Sequence, residues 1–160
     1  MGSQLWYSLY PRICTTAVIQ LEDNRRVRVY NTHLDCLLPQ ARDFGLKKLG
    51  QFIEKNRKVE NLPVIVMGDF NATPNSKVIK KFAAGEYSTS RFVAVQEIKK
   101  ELYEKSTMSS FKGKENGLHI DYIFVSEELE IVDVDIVKDN INGKYPSDHY
   151  PLIADIRIKK

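Results

Sequence analysis

Two β-branched, extended-looking segments, residues 13–21 and 26–34, flank Glu22-Asp23-Asn24, a short charged stretch of hairpin type. This pattern predicts a β-hairpin. Between residues 39 and 59 the period changes. Ala41, Gly45, Leu49, Phe52 and Ile53 recur at helical spacing, and Lys47, Lys48, Gln51, Glu54 and Lys55 fill the other face, which predicts an amphipathic helix. The run "PVIVMGD" then reads as a short strand covered on both faces. Thr73 as an N-cap and Pro74 at the first helical position predict a second helix. Residues 85–117 carry no dominant period: "FVAV" is strand-like, "QEIKKELYEK" has helical propensity and "SSFKGKENG" has loop composition. The runs "HIDYIFVS", "EIVDVDIVK" and "PLIADIRI" predict three closing strands.

This order predicts an α/β fold, a mixed β-sheet with helices on one face. The runs "VIVM" and "YIFV" are apolar on both faces, and helices cover only one of them. A second sheet is needed for the other face, and the chain hardly holds the strands to build it. With no internal repeat, low-complexity tract or linker, residues 4–160 are expected to form a single domain portion, with Met1, Gly2 and Ser3 an expression remnant.

Composition narrows the function classes. The chain has 160 residues, 42% of them hydrophobic, and no apolar run of transmembrane length, so disorder, collagen and a membrane-spanning helix are excluded. Its formal charge of +3, from 24 Lys+Arg against 21 Asp+Glu, is too small to mark a nucleic-acid binder by bulk electrostatics. The lysines of "KKFAAG", "KKELYEK" and "FKGK" read as dispersed solvated faces, which disfavours a dedicated nucleic-acid-binding domain. Cys14 and Cys36 fall on separate predicted strands without C-x-x-C spacing, so buried thiols are expected rather than a zinc site or redox pair. That favours a reducing, cytoplasmic setting. The N-terminus lacks the basic and apolar regions of a signal peptide, and Trp6 stands where a myristoylation signal needs Ser or Thr.

Four places interrupt the apolar strands with polar, chemistry-bearing residues: "NTHLD", "GDFNA", "HIDY" and "SDHYP". Each falls at or beside a strand end, where side chains from distant positions converge in α/β sheets. Taken singly, Asp35 or Asp69 is an ordinary turn or cap residue, His33 a core histidine and His119 a strand-entry residue. Asp121 resists that reading, since an unpaired carboxylate between Ile120 and Tyr122 costs several kcal/mol, in order of magnitude. Extended backbone would aim Asp69 and Asn71 to one side and Phe70 into the core, offering a carboxylate and an amide to a site. A loop would let Asp148 take a cation while His149 turns to substrate, with Asp121 fixing the tautomer of His149. Oxygen ligands without cysteine favour Mg²⁺ or Mn²⁺ over zinc, and such an ion suits phosphate-ester hydrolysis.

Together, "VYNTHLD", "PVIVMGDFNATPNS", "HIDYIFVS" and "YPSDHYPLIADI" resemble the later motifs of the endonuclease/exonuclease/phosphatase superfamily, the DNase I-like phosphohydrolases, in the same order. "YPRICTTAVI" resembles the strand preceding them. The resemblance implies about half of a four-layer α/β/β/α sandwich. It also implies that His33 contacts the scissile phosphate, Asp69 orients or deprotonates the attacking water, and Asn71 holds a phosphate oxygen. Asp148 and Asp69 would serve the metal, and His149, oriented by Asp121, would stabilise the phosphate or move a proton. The substrate would be a phosphate ester of a nucleic acid, a phospholipid headgroup or a sugar.

The family's earlier asparagine strand and its metal-binding glutamate have no counterpart here, and Glu22, Glu54 and Glu60 sit in the wrong contexts to replace them. The chain is therefore expected to be a C-terminal portion with weak metal affinity and turnover, and with an apolar sheet face through which it self-associates. The competing expectation is a non-catalytic binding module that keeps the fold.

Overall fold

The computed structural model describes residues 2–3 and 10–160. The predicted hairpin is present as β2 (Arg12–Gln20) and β3 (Arg26–His33), after a two-residue β1 (Gly2–Ser3), so two of the three expected remnant residues pair with β2. Helix α1 (Pro39–Val59) follows, then β4 (Val64–Asp69), α2 (Lys77–Ala83) and β5 (Phe92–Ala94). The chain continues through 3₁₀ turns at Val95–Ile98 and Lys100–Glu104 to β6 (Asp121–Ser126), β7 (Leu129–Ile136) and β8 (Leu152–Ile158). The main sheet runs β1-β2-β3-β4-β6-β5, with β3 and β4 parallel and the other pairs antiparallel.

The parallel pair requires a crossover, and α1 supplies it. Its buried stripe is Ala41, Leu46, Leu49, Gly50 and Ile53, so Leu46 faces the core where the sequence pattern had placed Gly45. Gly50 is there for space: a Cβ would lie 2.1 Å from the Tyr87 carbonyl oxygen. Against the same sheet face, α2 packs Val78, Ile79 and Phe82 onto Phe70, Phe92, Tyr122 and Phe124. Phe70 is fully buried, with its ring centroid 5.2 to 5.9 Å from those of Phe82, Tyr122 and Phe124. A buried phenylalanine contributes roughly 1.5–3 kcal/mol relative to an exposed one, and here it also pins the chain just after Asp69.

The second sheet expected from the two-sided strands has a beginning within this chain. Strands β7 and β8 leave the main sheet and pair with each other as a separate antiparallel ribbon. Their Leu129, Val134 and Ile136 pack on Val27 and Val125, with Ile65 and Ile123 beside them, on the face opposite the helices. The cover stops short of β2, where Ile13 and Ile19 stay exposed.

Three local expectations need correction. Helix α2 begins at Lys77 rather than at Pro74, because the Ser76 N–H donates to the Thr73 carbonyl and closes a turn with Pro74 inside it. Strand β3 ends at His33, so Cys36 lies beyond it and is exposed, while Cys14 on β2 is half-buried. The cause is Asp35, whose Oδ1 accepts the N–H groups of Leu37 and Leu38 at 2.8 Å and turns the chain into α1. Finally, Asp69 and Asn71 are not related by strand alternation. The strand ends at Asp69, and Asn71 adopts a left-handed φ of 48°.

Candidate active site

Register builds the centre of the site. His33 pairs with Asp69 across β3 and β4, and Asp69 pairs with Asp121 across β4 and β6. The three residues form one row across three neighbouring strands, on the face that carries Val27, Ile65 and Ile123. Strands lie about 4.8 Å apart, so the row holds its side chains within mutual reach. His33 Nε2 is 3.3 Å from Asp69 Oδ2, although the His33 side chain is itself 58% exposed and so is not a core histidine.

His149 enters from the loop before β8. Its backbone bridges Met108, its N–H donates to Ser147 Oγ at 3.1 Å, and its Nδ1 lies 2.7 Å from Asp121 Oδ2. Since a carboxylate only accepts, Nδ1 carries a proton, leaving Nε2 directed at Asp69 Oδ2, 3.9 Å away. Burial alone would lower the pKa of His149. The hydrogen bond and charge of Asp121, helped by Asp69 and Asp148, outweigh it and raise the imidazole above its ordinary value. Asp69 is also raised, by burial above all and then by the charge of Asp121, against the Asn71 N–H that stabilises the carboxylate. The result is a cation-favouring imidazole beside a carboxylate that holds protons more readily than usual.

Asn71 is brought to Asp69 by the turn: its N–H donates to Asp69 Oδ1 at 2.7 Å and its Nδ2 to the Leu34 carbonyl at 3.0 Å. One amide N–H of that side chain remains for another acceptor. Asp148 is held by its backbone, with the carbonyl accepting the N–H groups of Ser109 and Ser110 at 2.6 and 2.8 Å. A cavity of about 320 Å³ opens beside the row, lined by Asn31, Met67, Gly68, Asp121, Ser147 and His149.

His119 takes no place in the row. It is buried, with Nδ1 donating to the Lys105 carbonyl and Nε2 accepting from Gln96 Nε2, both at 2.9 Å, and burial lowers its pKa. Glu60 is bound to Arg26 and Arg28, and Glu54 to Thr89 and Ser90, which removes both from the site. Sequence reasoning passed over Gln96 and Thr107, and gave no role to Asn31 and Ser147 within "NTHLD" and "SDHYP". The signal available for Thr107 was a polar run, Ser106, Thr107 and Ser109, in a segment with no strand pattern, and all three prove buried.

Asp69, Asp121 and His149 each offer a ligand atom, and these lie within 4.8 Å of one another. The two carboxylates of this group suit a divalent cation completed by water and substrate, whereas His149, bonded to Asp121 through Nδ1, could not ligate one while it carries its charge. Two carboxylates facing one another also leave negative charge for a cation to neutralise.

The sequence profile described as the Endonuclease/Exonuclease/phosphatase family matches residues 4–149. The chain belongs to this family. No match was found among curated proteins. Among solved structures, the mannosyl-6-phosphatase Bt3783 of Bacteroides thetaiotaomicron VPI-5482 superposes with a TM-score of 0.82 at 21% identity, over 98% of this chain and 61% of that one. The human Nocturnin catalytic domain with bound sulfate gives 0.72 at 21% identity, over 92% and 53%. D. rerio TDP2 complexed with a single-strand DNA product gives 0.69 at 17% identity, over 91% and 62%. The fold is thus the α/β sandwich type of the DNase I-like phosphohydrolases, and the chain spans about three-fifths of the length of these structures or less.

Proposed function

We propose that this chain carries the phosphate-proximal part of a divalent-metal-dependent hydrolase of phosphate esters. The observation that supports this reading is the contiguous contact from Asp121 through His149 and Asp69 to His33. Cationic His149 and the imidazole of His33 flank the place where a phosphoryl group meets Asp69, and the spare amide N–H of Asn71 donates to a phosphoryl oxygen. Asp69, with its raised pKa, orients the attacking water or accepts its proton, and His149 stabilises the phosphoryl group or moves a proton. Asp69 and Asp148 are the carboxylates proposed to hold the ion; Asp69 shares a group of ligand atoms within 4.8 Å with Asp121, whereas Asp148 lies outside that group. Bound Mg²⁺ or Mn²⁺ would supply Lewis-acid polarisation of a phosphoryl oxygen.

The substrate classes are phosphate esters of nucleic acids, phospholipid headgroups or sugars. The likeness to a mannosyl-6-phosphatase supports a sugar phosphate, and that to TDP2 complexed with a single-strand DNA product supports a nucleic acid. Among the described residues no helix is long and apolar enough to cross a membrane. Ester cleavage should be measured on a panel of substrates, as phosphate release from phosphomonoesters and as alcohol or monoester release from phosphodiesters, with Mg²⁺ and with EDTA, for this chain and for any longer protein its reading frame encodes. Hydrolysis abolished by EDTA is expected, with the 160-residue chain the slower form. Turnover indifferent to EDTA would overturn metal dependence, and no turnover in any form would favour the binding-module reading.

Self-association of this chain belongs to the same proposal, through the strip of β2 that the β7–β8 ribbon leaves bare, where Ile13 is 64% and Ile19 49% exposed. Sedimentation should show dimers or larger species that dissociate when both isoleucines are replaced by lysine. A strictly monomeric wild type would refute it.

A further inference from the structure

We propose that Thr107 is a positioning residue that sets the separation of Asp121 and His149. Its contribution to turnover rests on the hydrolase reading above; its effect on the geometry does not. Strand β5 ends at Ala94, opposite Phe124, so the end of β6 that carries Asp121 has no strand neighbour on that side among the described residues. Two side chains take the place of the absent ladder. The Thr107 hydroxyl accepts the N–H groups of Ile120 and Asp121 at 3.0 and 3.2 Å, and Gln96 Nε2 donates to the Asp121 carbonyl at 3.0 Å. Both side chains are fully buried, so no water replaces them.

The other side of Thr107 reaches the histidine loop. Its carbonyl accepts the Tyr150 N–H at 2.8 Å, the neighbouring Met108 bridges His149, and Ser109 and Ser110 hold the Asp148 carbonyl. One short segment therefore grips Asp121 through a side chain, and the residues on either side of His149 through the backbone. The hydroxyl's own proton is directed at the Leu118 carbonyl, 3.5 Å away, which also accepts the Thr107 and Met108 N–H groups. Removing the oxygen leaves two buried N–H groups without an acceptor. They regain partners only if the end of β6 shifts, and a shift of about 1 Å in such a pair costs on the order of 10²-fold in rate.

The test compares Thr107→Val, which keeps the shape and removes the oxygen, with Thr107→Ser, which keeps the oxygen. In metal-free protein, the NMR signal of the His149 Nδ1 proton reports the hydrogen bond to Asp121 without substrate or turnover. T107V is expected to lose or shift that signal and weaken exchange protection of the Tyr150 amide, with folded far-UV circular dichroism, and T107S to restore both. In the form that turns over, kcat should fall about 10²-fold in T107V with KM little changed. Thr107→Cys, with a weaker acceptor, should fall between Val and Ser, which keeps the series readable if T107V does not fold. An unchanged proton signal in T107V, or its loss in T107S, would overturn the proposal. A proton signal that follows the series in a protein that hydrolyses no phosphate ester would support the positioning role and count against the hydrolase reading alone.

Discussion

Replacing His149 with alanine is expected to lower turnover of a phosphate ester by about 10²–10⁴-fold, the range for removal of a positioned proton-transfer group. The expectation follows from where the imidazole sits. Asp121 holds Nδ1, so the second nitrogen is presented toward Asp69, where charge develops on a phosphoryl group. Side-chain loss removes both a donor and a cation from the site. Folding should change little, because His149 is only half-buried and reaches the loop through its backbone. Steady-state kinetics with circular dichroism as a control separates the two effects. Activity within a few-fold of wild type in a folded H149A protein would remove His149 from the mechanism.

Replacing Asp121 with asparagine should move the pH profile as well as its height. Burial pulls the pKa of His149 down, and the hydrogen bond and charge of Asp121 are the foremost influences pulling it up. With the carboxylate gone, only the charges of Asp69 and Asp148 oppose burial, and the pKa falls. In wild type, the imidazolium persists as pH rises past the ordinary histidine value of 6.5 and is lost only through the raised folded pKa. In D121N it is lost at lower pH, so activity that depends on the cation should fall off earlier on the alkaline side. Its contribution to stability has the same sign: present below the unfolded value, lost as pH rises through the folded one. A titration of His149 by NMR in metal-free D121N checks this directly. An unchanged or higher pKa would contradict it. Turnover at neutral pH should drop about 10²-fold or more, since an amide also leaves the tautomer unspecified.

Much of the fold was legible because its signals are local. The β2–β3 hairpin, the span of α1 and the strands around Val66 and Phe124 follow from periods of two and 3.6 and from turn residues. The misreadings are also local, with identifiable causes. Thr73-Pro74 looked like a helix start, but a turn at Asn75 intervenes and α2 waits for Lys77. Cys36 looked like strand, but the Asp35 carboxylate bends the chain before it. Strands β7 and β8 read as further members of the main sheet, and nothing in their alternation says with which strand they pair.

The sequence by itself determined that polar residues stand where apolar strands end, and that Asp121 needs a partner to be there at all. Alternation within β3 and β6 puts His33 and Asp121 on the opposite side from the buried Thr32 and Tyr122 beside them. Register decided the rest. Parallel pairing of β3 with β4 and antiparallel pairing of β4 with β6 set these two and Asp69 in one row, and a slip of one residue in any strand would have scattered them. The partner of Asp121, the burial of His119 and the reach of Thr107 to both sides of the site depend on contacts across 12 or more positions. Such contacts leave no period in the chain, because they form only after the strands and helices have packed.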